Sequence, residues 1–323
     1  MSTRAPAPVI EVQGLVKRFG DFVSVDDLSL TVREGEVFGL LGSNGAGKTT
    51  TIRMLCGLLT PTTGSARVLG IDVGLDPEAV KRRIGYMTQR FSLYDDLTVR
   101  QNIRFFAGVY GLRGREGAAR AAWAISTAGL EGKEDLLTRS LPGGWKQRLA
   151  LACAVLHEPR VVFLDEPTGG VDPISRRRFW GLIDQMAVEG VTLIVTTHYL
   201  DEAERCDRIA LMHAGRLVAL GSVSELKEVF VGRSLLEVSC PRFLDAQARL
   251  EAQPWVLESS VFATKLHVVV ADADEGRRRV EETLAADGNG PVVVERIVPS
   301  LEDVFIHCIE AEDAARASGE AVS

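Results

Sequence analysis

The sequence predicts an α/β protein, a parallel or mixed sheet covered by helices and followed by a smaller α+β domain. From Val9 to about Phe230, apolar β-branched runs alternate with helical periodicity, the pattern of strands laid between helices. Val37–Leu41, Val161–Leu164 and Val191–Thr196 are continuous apolar runs, as strands buried on both faces require. After Gly232 the order changes to β-α-β-β-α-β-α, the plan of a split βαβ unit.

Along the chain, a Pro/Ala-rich tail to Pro8 precedes the first strand, Val9–Val12. Val37–Leu41 leads through a glycine-rich turn into a helix reaching Leu58, and Ile84–Met87 is a further apolar strand. Between Arg90 and His157 the pattern is mostly helical, which predicts an inserted helical lobe; one helix starts at Thr98, where Gln101 completes a capping box. Leu141–Arg148 opens another helix, with Trp145, Leu149, Ala152 and Leu156 along one stripe. The second domain reads as strand Leu235–Cys240, a helix from Phe243 to about Ala252, strands Val256–Ala263 and Lys265–Ala271, helix Glu275–Ala286, strand Val292–Val298 and helix Leu301–Glu312. The expected divisions are thus a flexible tail over 1–8, a main domain over 9–231 with its helical lobe at 90–157, a second domain over 232–312, and a frayed end over 313–323.

Composition narrows the function. The chain has 323 residues, enough for about two domains, with 46% hydrophobic and 25% charged residues. Its 37 Lys and Arg against 44 Asp and Glu give a net charge of −7, which disfavours a duplex nucleic-acid binder needing a basic face. Five scattered cysteines without a CxxC pair disfavour a disulfide framework or zinc cluster. No run of about 18 uncharged apolar residues exists to span a bilayer, and the start carries no apolar leader segment, so a cytosolic protein is expected.

Three segments carry chemistry. Gly42-Ser43-Asn44-Gly45-Ala46-Gly47-Lys48-Thr49 fits G-x-x-x-x-G-K-[ST] between a strand and a helix, the setting a phosphate loop requires. Its glycines let backbone N–H groups turn inward at phosphate oxygens, and the helix N-terminus faces the same anion. Lys48 then reaches the β- and γ-phosphates, and Thr49 offers a hydroxyl to Mg²⁺; Thr50 follows in the same turn. Val161–Leu164 runs into Asp165 and Glu166, an acid pair at the end of a buried strand. Buried carboxylates need partners, so Asp165 is expected in the Mg²⁺ shell and Glu166 beside the attacking water as general base. Leu141-Pro142-Gly143-Gly144 exposes N–H groups at a helix start, a second anion site, although a plain Pro/Gly helix entry is the simpler reading on spacing alone.

With these segments in this order, residues Val9 to Phe230 resemble the ATP-binding subunits of ABC transporters. The resemblance implies a P-loop NTPase core with an antiparallel β edge and an inserted helical subdomain, plus a small C-terminal ferredoxin-like domain. It makes the phosphate loop Walker A, the acid pair the end of Walker B and Leu141–Arg148 the signature motif. Gln89, after Ile84–Met87, resembles the Q-loop glutamine, implying a contact with Mg²⁺ or water that senses the γ-phosphate. Asp172, in Gly170-Val171-Asp172, resembles the D-loop residue; ahead of Pro173 it also suits a helix cap. His198 resembles the switch histidine, and Phe19 fits the aromatic position that stacks on adenine, keeping the π-face without a hydroxyl.

Trp145-Lys146-Gln147-Arg148 and Pro299-Ser-Leu-Glu-Asp-Val-Phe305 resemble the ABC-2 exporter branch, including multidrug exporters. That implies ATP and Mg²⁺ bound in a head-to-tail dimer, as a homodimer or with a paired ATPase subunit. It further implies a separate transmembrane permease, membrane contact only through that permease at the cytoplasmic face, and no nucleic acid. Phe91, Leu93, Tyr94 and Leu97 are expected either as a permease groove or as core of the helical lobe. A soluble ABC ATPase acting on ribosomes or DNA is disfavoured by the lack of a second ATPase unit or long coiled coil, and a P-loop kinase by the signature motif. Pro142 departs from the family's serine and is expected at the first position of its helix.

Overall fold

The computed structural model describes residues 8–89, 92–285 and 291–318. Arg90 and Phe91 of the helical lobe, and the tail before Pro8, lie outside these residues. The chain divides into two compact units, Met1–Ser222 and Val223–Ser323.

In the first unit, β1 (Pro8–Phe19) and β2 (Phe22–Arg33) form a hairpin with Phe19 opposite Phe22. Then come β3 (Val37–Gly42), α1 (Lys48–Leu55), β4 (Thr63–Val68), β5 (Ile71–Asp72), α2 (Pro77–Lys81) and β6 (Ile84–Met87). The helices α3 (Val99–Val109), α4 (Gly114–Ala128) and α5 (Gly143–Ala154) follow. The unit continues with β7 (Val161–Asp165), α6 (Pro173–Val188), β8 (Thr192–Thr197), α7 (Leu200–Ala203), β9 (Arg208–His213) and β10 (Arg216–Gly221).

Two sheets result. One is antiparallel in the order β2-β1-β4-β5; the other runs β10-β9-β3-β8-β7-β6, parallel from β9 to β6 with β10 antiparallel at its edge. The expected antiparallel edge is therefore mostly a sheet of its own. β1 hydrogen-bonds β2 on one side and β4 on the other, so neither of its edges is left for the larger sheet. Every residue of β3, β7 and β8 is buried, as their apolar runs require.

The parallel register positions the site. Asp165 pairs with Thr196 and Leu41 with Thr197, so the carboxyl ends of β3, β7 and β8 finish side by side. Loops leaving that end of a parallel sheet form ligand crevices. In α3–α5, Thr98 closes the expected capping box: it accepts from Gln101 N–H at 3.2 Å while Gln101 Oε1 accepts from Thr98 N–H at 2.8 Å. Leu149, Ala152 and Leu156 lie in the helical core and Trp145 packs against it, so the stripe faces inward.

The second unit holds α8 (Val223–Lys227), β11 (Ser234–Ser239), α9 (Phe243–Glu251), β12 (Glu258–Phe262), β13 (Lys265–Val270), α10 (Ala273–Ala285), β14 (Val293–Ile297) and α11 (Leu301–Ser318). Its sheet runs β12-β13-β11-β14 with every neighbouring pair antiparallel. Most strand ends differ from expectation by one or two residues, and three further differences have visible causes. The division falls after Ser222 because α8 packs on α11 and Phe230 meets the His307 ring at 5.4 Å. α10 starts two residues early because Asp272 accepts from the N–H groups of Asp274 and Glu275. The expected frayed end is corrected over 313–318, where α11 continues to Ser318 and carries an Arg316–Glu312 pair one turn apart; 319–323 lie outside the described residues.

A fragment ending at Ser222 is expected to unfold cooperatively and remain soluble. One ending at Val231 exposes the Leu226 and Phe230 side chains, about 1.5–3 kcal/mol of apolar burial each, and is expected to aggregate first. Thermal unfolding with light scattering on the two fragments checks this.

Candidate active site

The turn after β3 needs a backbone that only glycine adopts freely. Gly47 caps α1 at φ 98°, and a Cβ there would meet the Ser24 carbonyl at 2.6 Å. No side chain caps this helix, so its first N–H groups face the loop's concave side. Ser43, Asn44 and Gly45 are exposed at the tip, while Gly42, Ala46 and Gly47 are buried at the base.

Lys48 is 4% exposed, and its Nζ donates to the carbonyls of Gly42 at 2.8 Å and Ser43 at 3.0 Å. Burial lowers its pKa, and the nearby Glu166 and Asp165 carboxylates oppose that shift. The ammonium is thus held inside the loop at the cost of its hydration.

Asp165, 1% exposed at the end of β7, accepts on Oδ1 from Thr49 Oγ1 at 2.9 Å and Thr196 Oγ1 at 2.8 Å. Burial raises its pKa, and the two hydroxyls oppose the shift. Neutral hydroxyls leave most of the carboxylate charge uncompensated, which a cation would correct. Thr49, Asp165 and Gln89 offer hydroxyl, carboxylate and amide groups, a hard oxygen set that fits Mg²⁺.

Glu166 lies one step on, at φ 46°, a left-handed backbone uncommon for a side chain of its size. Its N–H donates to Thr196 Oγ1 at 2.8 Å. Its Oε1 is 3.7 Å from Lys48 Nζ, while Oε2 accepts from Gln89 Nε2 at 2.9 Å and lies 3.6 Å from His198 Nδ1. Lys48, Gln89 and His198, called separately from sequence, therefore converge on one carboxylate. A cleft of about 330 Å³ opens over Lys48, Gln89 and Glu166, lined also by Phe22, Ser24, Asn44, Gly45, Gly47, Thr49 and Thr50, while His198 lies outside that lining.

Other expected residues lie apart from this cleft's lining. Phe19 is 50% exposed beside Lys17, whose Nζ sits 5.2 Å from the ring, and it is Phe22 across the hairpin that lines the cleft. Pro142 is corrected from first helical residue to N-cap of α5: its ψ of 149° is extended, and its carbonyl accepts from Trp145 and Lys146 N–H. Pro142 and Gly143 are exposed; Gly144 is buried against α6, where a Cβ would meet Ser175 Oγ at 2.4 Å. Asp172 caps α6, accepting from Ile174 N–H at 3.1 Å and Ser175 N–H at 3.0 Å; the Ser175 hydroxyl above all, and then these N–H groups, hold its pKa below the usual carboxylate range. Leu93 packs on the helical core, while Tyr94 is 48% exposed and edge-on to Phe105 at 4.7 Å. No local motif marks Thr196 in the sequence. Its signal was its place opposite Asp165 in a parallel ladder, which only the pairing reveals.

Residues 25–169 match the family described as ABC transporter. The chain is 37% identical over 298 residues to the Nod factor export ATP-binding protein I of Burkholderia thailandensis, covering 92% of this chain and 95% of that protein. This chain belongs to the ABC transporter family. It carries that family's ATPase domain. The chain is also 53% identical over 219 residues to the probable multidrug ABC transporter ATP-binding protein YbhF of Escherichia coli, and that match covers 68% of this chain but only 38% of YbhF's length. A dimeric structure of a bacterial ABC transporter cassette superposes with a TM-score of 0.61 at 26% identity, covering 66% of this chain and 98% of that one. Among the described residues no helix is long and apolar enough to cross a membrane.

Lys48→Ala is expected to weaken ATP binding by one to two decades, since a charge-assisted hydrogen bond to phosphate is worth about 1.5–3 kcal/mol. Titration with a fluorescent ATP analogue checks it; unchanged affinity contradicts the assignment of the loop.

Proposed function

We propose that this chain is the ATP-hydrolysing subunit of an ABC exporter, coupling the reaction to a separate ABC-2-type permease. The observation that carries this reading is the convergence of Lys48, Gln89 and His198 on the Glu166 carboxylate. ATP lays its phosphates along Ser43–Thr50, where backbone N–H groups and Lys48 balance the charge. The exposed rings of Phe19 and Phe22 offer apolar faces for the base. Mg²⁺, held by Thr49, Asp165 and Gln89, supplies charge neutralisation at the phosphates when bound. Glu166 accepts the proton of the attacking water, Gln89 orients the carboxylate, and His198 holds the γ-phosphate side of the cleft.

A head-to-tail dimer completes the site. In its favour, Pro142 and Gly143 are exposed and lie outside the lining of their own chain's cleft, while a similar cassette has been described as a dimer. A second copy or a paired ATPase then covers the γ-phosphate with the N-terminus of its α5. Relatives named as a probable multidrug ABC transporter ATP-binding protein and as a Nod factor export ATP-binding protein support an exporter on the cytoplasmic face, touching the membrane through the permease. Tyr94 and Phe105 form an exposed aromatic pair suited to that partner. We read the second unit, by its sheet order, as a ferredoxin-like domain that tunes contact between the two ATPases.

Glu166→Gln is expected to bind ATP normally, stop turnover and accumulate an ATP-dependent dimer on size exclusion, because an amide cannot accept the water's proton. Pro142→Ser restores a cap acceptor and a hydroxyl donor, and is expected to raise ATP-dependent dimerisation or turnover by up to about tenfold. Sedimentation with ATP and Mg²⁺ measures it.

A further inference from the structure

One carboxylate near the site, as deeply buried as Asp165, is not used by the proposed chemistry. Glu202, in α7, is 1% exposed. Its Oε1 accepts from Thr168 Oγ1, and its Oε2 accepts from Thr197 Oγ1 at 2.8 Å. Arg176 Nε stands 3.4 Å from Oε1 as an ion contact rather than a hydrogen bond. A carboxylate this dry survives only with strong partners, and here those partners come from different segments.

Those segments carry the two groups that must meet. Thr168 belongs to the turn after β7 that begins with Glu166, and Thr197 is the last residue of β8, directly before His198. The Glu166 backbone is left-handed at φ 46°, a conformation that persists only when its surroundings hold it. Thr196 holds it at the amide, and the Thr168–Glu202 bond ties the turn two residues on. On the other side, Thr197 Oγ1 also accepts from Tyr199 N–H at 3.0 Å, which fixes the chain on either side of His198. The Arg176 guanidinium lies 4.2 Å from the Tyr199 ring, and that ring lies 4.1 Å from the His198 ring.

We propose that Glu202 is a positioning residue for hydrolysis: through Thr168, Thr197 and Arg176 it holds the turn of Glu166 at a fixed separation from His198. The proposal rests on the reading of Glu166 and His198 as the hydrolytic pair. Glu202 touches neither nucleotide nor water. Its loss lets the 3.6 Å spacing between the Glu166 carboxylate and His198 drift. A misplacement of about 1 Å at reacting groups costs on the order of 10²-fold in rate while leaving binding groups in place.

The test uses the full-length chain. Glu202→Gln keeps the shape but loses the charge facing Arg176 and one of two acceptors. Its kcat is expected to fall at least about tenfold, with KM and the affinity for a fluorescent ATP analogue within about twofold of wild type. Thr168→Val is expected to reproduce the loss and Thr168→Ser, which keeps the hydroxyl, to retain turnover. In ¹⁵N-histidine spectra, the His198 ring signals, assigned with His198→Ala, are expected to move in Glu202→Gln while those of His267 and His307 stay. Unchanged kcat and unmoved His198 signals in the folded variant overturn the proposal. A rise in KM at unchanged kcat overturns it too, because it assigns Glu202 to binding. If wild-type chain binds ATP without turning over, the hydrolytic reading fails instead, and the His198 signals still decide whether Glu202 orients that ring.

Discussion

Opposite charges held out of water at one end of a parallel sheet govern this site. Lys48 is buried with loop carbonyls as its hydrogen-bond acceptors, and Asp165 is buried with hydroxyl donors. Desolvating an ion costs several kcal/mol, which neutral dipoles only partly offset. Lys48 has the Glu166 carboxylate at 3.7 Å, and in the proposed function phosphate and a divalent cation complete the charge balance of the two groups. The parallel register holds them together, because Gly42, Asp165 and Thr197 end neighbouring strands. Shifting any one strand by a residue would turn its functional group to the opposite face.

The same constraint explains which residues around the centre are small, bent or hydroxylic. Gly47 is left-handed where the loop turns into α1 and leaves no room for a Cβ beside the Ser24 carbonyl, and Glu166 is left-handed where its carboxylate turns back toward Lys48 after β7. Thr196 serves both acids, donating its proton to Asp165 while accepting the Glu166 N–H. Positioning of this kind belongs to the rigid scaffold rather than to the loops, which suits a site whose work is charge stabilisation.

Much of this was legible in the sequence, for local reasons. Continuous apolar runs marked β3, β7 and β8, the glycine spacing marked the phosphate loop, and Thr98 with Gln101 marked the start of α3. The alternation after Gly232 foretold the order of strands and helices in the second unit. What stayed hidden depends on long-range pairing. No periodicity in Val9–Val12 announces that β1 would bond strands on both sides and form a separate sheet. The division after Ser222 follows from α8 meeting α11, partners far apart in the chain. Phe22 rather than Phe19 lines the cleft, a choice made by the hairpin's local geometry. At Pro142 a propensity rule favours the first helical position, whereas the structure uses its extended backbone as the N-cap.

The central claim is that this chain hydrolyses ATP at a site completed by a second ATPase. Steady-state turnover of the purified chain, measured with ATP and Mg²⁺ across a wide range of protein concentration, tests it most directly. The account predicts that turnover per chain rises with concentration and then saturates as dimers form. Turnover per chain that is independent of concentration in demonstrably monomeric protein would contradict it, whereas turnover restored only by a different ATPase subunit would assign the second ATPase to that subunit.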